Sequence, residues 1–206
     1  MNDLTLQVDR YRIRVKELVE MAIQIGAGAI DVVLIPTSDL SVEDGLADMC
    51  REPRCVYYGL SANCPPYVPG PSEFRDLLRI CKYALAIKME IPVGSLVNGD
   101  HQDLTRLMFE IVSDIERLAV EKGFSDSKAF ASGSCKVTFC HEYGSCHMLI
   151  GRECRYPQNA RPSMSSKGVN VNKLIKTTGW FMNQNTNKTD SDKVSMEAIY
   201  GLVLIG

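Results

Sequence analysis

No run of apolar residues in this 206-residue chain approaches the roughly 18 needed to cross a bilayer, so no membrane partner is expected. The start, Met1-Asn2-Asp3-Leu4-Thr5, lacks a basic stretch followed by an apolar core, and no secretory leader is read there. Without export the expected location is cytoplasmic, a reducing compartment in which structural disulfides are disfavoured. Lys and Arg form no stripe and the formal charge is only −2, which argues against a nucleic-acid partner. There is no Gly-Lys-Ser/Thr phosphate loop and no nucleophile elbow. Gly26 and Gly28 follow a helical pattern and lack a third glycine, so they read as a helix stop rather than a dinucleotide loop.

What the chain does have is cysteine in two tight groups. Cys50, Cys55 and Cys64 form the first, and Cys135, Cys140, Cys146 and Cys154 form the second. Scattered thiols usually fill core space as small hydrophobes. Thiols bunched in Gly/Pro-punctuated segments point to a metal, because thiolates are the soft ligands that zinc and iron–sulfur clusters prefer. Cys81 stands apart at the end of a helical pattern and is assigned to the core.

A hydrophobic fraction of 45% is ordinary for a chain that buries its own core. Apolar spacing predicts helices over 8–25, 72–81, 100–122 and 171–178. The first carries Val15, Leu18, Val19, Ala22 and Ile23 on one face, and the third carries Leu104, Leu107, Met108, Ile111, Ile115, Leu118 and Ala119. Short β-branched or apolar runs predict strands over 29–36, 83–91, 128–132 and 198–205. Interleaved helices and strands favour an α/β or α+β fold, with a single mixed sheet, packed helices and two cysteine-rich loops. No linker divides the chain, so 1–206 is expected as one domain. The final apolar strand is expected to pair within the chain or across a homodimer.

Cys50-x4-Cys55-x8-Cys64-Pro65 fits the pattern of thiolates that hold a [4Fe–4S] cluster, with proline fixing the backbone after the last ligand. Cys135-x4-Cys140-x5-Cys146-x7-Cys154 supplies four more. Zinc would accept a Cys and His set, but structural zinc usually uses short Cys-x2–4-Cys knuckles for each pair, and only the first pair here has that spacing. His141 and His147 each follow a cysteine and are read as donors to ligands or as solvated side chains. Two arrangements remain open, one cluster per group or a single site built from both. Arg161 with Ser163 suits either an anion or, the preferred reading, a tie between the cysteine loop and backbone carbonyls. Trp180 and Phe181 are assigned to the core.

The motifs Cys50-x4-Cys55, Tyr58-Gly59, Cys64-Pro65-Pro66-Tyr67-Val68-Pro69, Gly133-Ser134-Cys135, Cys154-Arg155-Tyr156-Pro157 and Ala160-Arg161-Pro162-Ser163-Met164 carry a resemblance. Together they resemble an uncharacterised cysteine-rich prokaryotic family of predicted metal-binding proteins, over most of the chain. The resemblance implies metal or iron–sulfur binding by these cysteines and no particular reaction. It also implies Cys-x2-Cys-x2-Cys in the second group, where this chain has Thr138 in the middle position.

The expected function is therefore an iron–sulfur protein with one or two [4Fe–4S] clusters. It would exchange electrons with a redox partner protein or act on a small-molecule substrate. The alternative is a structural zinc protein that presents a partner-binding surface. A third reading is a metal-free thiol protein, with thiol pKa values lowered by Arg51, Arg54, Lys136 or Arg155.

Overall fold

The computed structural model describes residues 3–26, 30–93, 101–180 and 196–206. Gly28, Ala29, Asp100, Phe181 and the expected polar loop over 183–193 lie outside the described residues. The elements run in the expected order. Helix α1 (Asp3–Ile25) precedes strand β1 (Ile30–Pro36), and a short helix α2 (Asp44–Asp48) leads into the first cysteine segment. Helix α3 (Pro71–Ile80), strand β2 (Tyr83–Pro92), helix α4 (His101–Glu121) and strand β3 (Lys128–Phe130) follow. Helix α5 (Cys135–Cys140), helix α6 (Val171–Thr177) and strand β4 (Met196–Ile205) complete the set.

The strands form one sheet in the order β1-β2-β4-β3, and all three ladders are antiparallel. The fold is thus α+β, with a single sheet that is antiparallel throughout rather than mixed in direction. The last strand answers the pairing question from inside the chain. β4 lies between β2 and β3, with Tyr83 opposite Ile205 and Pro92 opposite Met196.

Both faces of the central pair are buried, which explains why these strands read as near-continuous apolar runs. Leu85, Ile87, Met89, Ile199 and Val203 face one layer, where Leu18 and Ala22 of α1 meet Met108, Val112, Ile115 and Ala119 of α4. Ala84, Ala86, Leu202 and Leu204 face the other, against Phe74 of α3 and Leu174 of α6. Period-2 side-chain alternation assigns each strand residue to its layer. Cys81 and Trp180 pack in or against this second layer, as expected. The helix stripes are a little narrower than read from sequence. Ile23 and Leu107 are over 40% exposed, while Phe109 and Val112 take buried places. Among the described residues, no helix is long and apolar enough to cross a membrane.

Two local differences have clear causes. Helix α3 begins at Pro71 with Gly70 at the cap, one residue before the expected Ser72. Proline suits the first helical position because its missing N–H would have no intrahelical partner there. The start of the second cysteine segment is helical, not a loop, since Val137 N–H and Thr138 N–H both donate to the Ser134 carbonyl.

The segment from 160 to 170 stitches the layers together. Ala131 N–H donates to Pro162 O and Met164 N–H to Ala131 O, both at 3.0 Å. Glu43 N–H donates to Gly168 O at 2.8 Å. Gly168 has φ +72°, and a Cβ there would lie 2.6 Å from the Glu43 carbonyl oxygen, so only glycine fits. Lys167 is buried, and its Nζ donates to Pro69 O and Glu73 Oε2, each at 2.7 Å. That contact holds the proline segment after Cys64 against the sheet layer.

Glu43 Oε1 accepts from Lys173 Nζ and Asn170 Nδ2 at 2.8 Å and from Ser41 Oγ at 3.1 Å. The lysine bond, followed by the Asn170 and Ser41 bonds, lowers its pKa from 4.5 to about 2. A carboxylate depressed on folding adds stability above its unfolded pKa and loses it as pH falls through the folded value. Stability should therefore decline between about pH 4.5 and pH 2. In Glu43→Gln that decline should be shallower, as read by chemical denaturation across the range. Gly201 gives a second expectation. A Cβ there would lie 2.5 Å from Val112 Cγ1 and 2.8 Å from Met108 Sδ, so β4 and α4 touch closely at this point. Gly201→Ala should cost about 1–3 kcal/mol by overpacking. The double variant with Val112→Ala should be less destabilised than the two single losses added together.

Candidate metal centre

Edge strand β3 delivers the chain to Gly133-Ser134, and α5 starts at Cys135. Two aromatic contacts fix this helix. Phe139 meets Phe109 of α4 edge-on at 5.4 Å, and Tyr156 stacks on Phe139 at 5.2 Å. The stack also places Cys154, two residues before Tyr156. Lys136 Nζ closes the C-terminal end of α5 by donating to Cys140 O and Tyr143 O, each at 2.6 Å. Arg161 pairs with Glu116 of α4 and donates to Pro157 O and Ala160 O, so it ties the cysteine loop to the fold as expected.

Cys135, Cys140, Cys146 and Cys154 all line one cavity of about 440 Å³. Ser61, Ala62 and Asn63 of the first cysteine segment complete part of its wall. The two groups therefore meet. Ser61 Oγ lies 3.2 Å from Cys135 Sγ, and Asn63 Nδ2 donates to the same sulfur at 3.6 Å. Cys64 Sγ lies 3.4 Å from Ser134 Oγ, which explains why Ser134 sits at the cap of α5 without capping it. Cys64 does not line the cavity, and neither do Cys50 and Cys55. They remain near enough to Cys64 to interact electrostatically with it, and Cys64 in turn interacts with Cys146.

Polar groups of both segments surround the thiols of the cavity. Cys135 has Ser61 and Asn63. Cys154 accepts from Tyr156 N–H at 3.4 Å. Cys140 interacts with the Arg155 guanidinium. The Ala62, Met148 and Leu149 N–H groups and the Ser61 hydroxyl favour the thiolate form of Cys146. Burial works against the Cys146 thiolate, but these donors outweigh it and its pKa falls below that of an ordinary thiol. Elsewhere burial prevails. It pushes Cys135 up to about 11 and raises Cys50, Cys64 and Cys140. Such thiols keep their protons until a cation displaces them, as metal binding does.

The cations named for a metal-free thiol reading are mostly engaged elsewhere. Arg51 pairs with Asp48 at 3.6 Å, Arg54 lies over the Tyr58 ring, and Lys136 serves two carbonyls. Arg155 lies over the Tyr143 ring and donates to Ser145 O, and its charge favours the Cys140 thiolate against a larger opposing effect of burial. His147 lines the cavity, but its Nδ1 lies 3.2 Å from Glu153 O. His141 is exposed and pairs with Gln102. Thr138 is buried against a different, smaller cavity, and its Oγ1 donates to Ser134 O, so it faces away from the thiols.

Among the described residues, no three His, Cys, Asp or Glu side chains converge closely enough to hold one metal ion. The four cysteines instead share the lining of one cavity. Sequence reasoning missed the donors Ser61, Ala62, Asn63 and Ser134. Adjacency to Cys64 and Cys135 was their one signal, and which sulfur each serves depends on tertiary contact.

No curated protein and no solved structure matches this chain. The model of a family described as predicted metal-binding protein (DUF2284) matches residues 33–205, which runs from within β1 to the end of β4 and includes all seven grouped cysteines. The chain belongs to this predicted metal-binding family.

Proposed function

We propose that the protein is an iron–sulfur protein that binds a [4Fe–4S] cluster through Cys135, Cys140, Cys146 and Cys154 and uses it for electron transfer. One observation carries this reading: four thiols from one segment line a single cavity of about 440 Å³, and two of them, Cys135 and Cys154, already accept hydrogen bonds there. A single zinc ion would draw four sulfurs to about 2.3 Å from one point. Thiols spaced around a cavity fit a cluster whose own atoms fill the middle. Donors aimed at the sulfurs are the means by which a protein holds and tunes such a cluster.

When bound, the cluster supplies a one-electron couple. The chain's residues do the rest. Phe139 and Tyr156 fix the directions from which Cys135, Cys140 and Cys154 enter. The Ala62, Met148 and Leu149 N–H groups favour the thiolate form of Cys146. Residues 61–63 cover one side of the cavity and limit water access there. Cys50, Cys55 and Cys64 form a neighbouring three-thiol set. A second cluster there would have one iron without a protein thiolate, free for a small substrate or an external thiol.

The test is iron and acid-labile sulfide analysis of protein purified without oxygen, with an absorption spectrum of the same sample. About four iron and four sulfide per chain, and a brown colour, are expected. Cys146→Ser or Cys154→Ser should lose most of both. Cys50→Ser should leave the cavity cluster in place, and a count near eight iron would place a second cluster on the first group. Full zinc occupancy without sulfide or visible colour would replace this reading with a structural zinc site, which chelation would unfold.

A further inference from the structure

Residues 61–64 form a turn whose polar groups converge on one sulfur of the other cysteine segment. Cys64 N–H donates to Ser61 O at 3.0 Å and Gly59 N–H to Pro65 O at 2.8 Å, so the backbone of the turn is closed on itself. Ser61 is 1% exposed, and its Oγ lies 3.2 Å from Cys135 Sγ. Asn63 N–H donates to that same Oγ at 3.1 Å. Asn63 Nδ2 donates to Cys135 Sγ at 3.6 Å, a length suited to the larger sulfur atom. A hydroxyl has one hydrogen to give. With Asn63 N–H bound to the Ser61 oxygen, that hydrogen is left for the sulfur once metal binding has displaced the thiol proton. Asn63 therefore acts on Cys135 twice, directly through its amide and indirectly through Ser61. Cys135 is the one buried thiol of the cavity, the other three being half-buried, so water does not readily replace a donor lost there. A second strut keeps the segments in register, since Cys64 Sγ lies 3.4 Å from the Oγ of Ser134, the residue before Cys135.

We infer that Asn63, together with Ser61, is a positioning residue that sets the reduction potential of the cluster through Cys135, a role that rests on the iron–sulfur reading above. An added electron increases the negative charge that the ligand sulfurs share. N–H and O–H groups aimed at a sulfur bind the more negative state more strongly, and so raise the potential. The two donors are held by the turn before any ligand arrives, so little ordering is needed when the site fills. The first cysteine segment thus acts on the cavity without lending it a thiol.

The experiment is an anaerobic redox titration with dithionite and mediators, followed by electron paramagnetic resonance. It compares the full chain with Asn63→Leu, Asn63→Asp and Leu60→Ala, and iron and sulfide are counted in each sample. Asn63→Leu removes the amide at similar size. It should keep full iron and sulfide and shift the reduction equilibrium at least threefold toward the oxidised form, a fall of about 28 mV for one electron. Asn63→Asp should shift it further, because a carboxylate accepts where the amide donates and adds negative charge. Leu60→Ala alters an exposed side chain beside the turn that does not line the cavity, and should leave the potential unchanged. An unchanged potential in Asn63→Leu with full iron and sulfide overturns the inference and leaves the cluster reading intact. An equal fall in Leu60→Ala also overturns it, since the effect would then belong to the turn and not to the donors. Should Asn63→Leu fail to fold or load, Ser61→Ala takes its place. A fall in potential there supports the inference, and no change, or a second failure to load, overturns it. Wild-type protein that holds zinc and no sulfide overturns both readings.

Discussion

The central strand pair β2–β4 is apolar on both sides, and the rest of the structure answers that constraint. A sheet with one wet face would need helices on one side alone. Here α1 and α4 must cover one face while α3 and α6 cover the other. Covering both faces sends the chain repeatedly around the sheet edges. The cysteine segments lie in two of those passages, one between β1 and α3 and one after edge strand β3. The close contact at Gly201 shows how tightly one cover sits, with α4 against β4 backbone. Phe109 on that same helix then anchors Phe139, and with it the helix that carries Cys135 and Cys140.

The two cysteine segments are more than neighbours. Ser61 and Asn63 serve Cys135, Ala62 serves Cys146, and Ser134 serves Cys64, so each segment supplies donors to the other's sulfurs. Buried thiols with raised pKa values are poor nucleophiles. They are good waiting ligands, since a metal's charge replaces their protons at little structural cost when donors are already in position. The fold thus favours binding over thiol reactivity at Cys50, Cys64, Cys135 and Cys140. Cys146, with its pKa lowered by backbone donors, is the exception and lies where the segments meet.

Much of this was legible in the sequence because local pattern and tertiary role agree. The 3.6-residue stripe of α4 and the apolar run of β4 each specify an element without help from distant residues. The core role of Cys81 and the carbonyl-binding role of Arg161 followed from neighbours in sequence. Strand direction was not legible, because apolar runs buried on both faces occur in parallel and antiparallel sheets alike. The helical start of the second cysteine group was hidden because Cys, Thr and Phe are indifferent helix formers, and packing of Phe139 settles the matter. The exposure of Ile23 and Leu107 reflects the finite width of each stripe, which periodicity alone does not fix. The sulfur-directed donors were invisible for a different reason. Ser61 and Cys135 lie 74 residues apart, and only the closed fold brings them together.

The position of β4 in the sheet has a consequence for biosynthesis. It is the last strand in chain order and yet sits between β2 and β3, so the sheet stays split until residues 196–205 leave the ribosome. β3 pairs with β4 alone, and β3 is the platform from which the second cysteine segment departs. At about 5–20 residues per second, the nascent chain carries all seven grouped thiols for seconds before their scaffold can close. The scaffold of the second cysteine segment therefore waits for residues 196–205, and until they emerge the grouped thiols lie open to stray metal and oxidant.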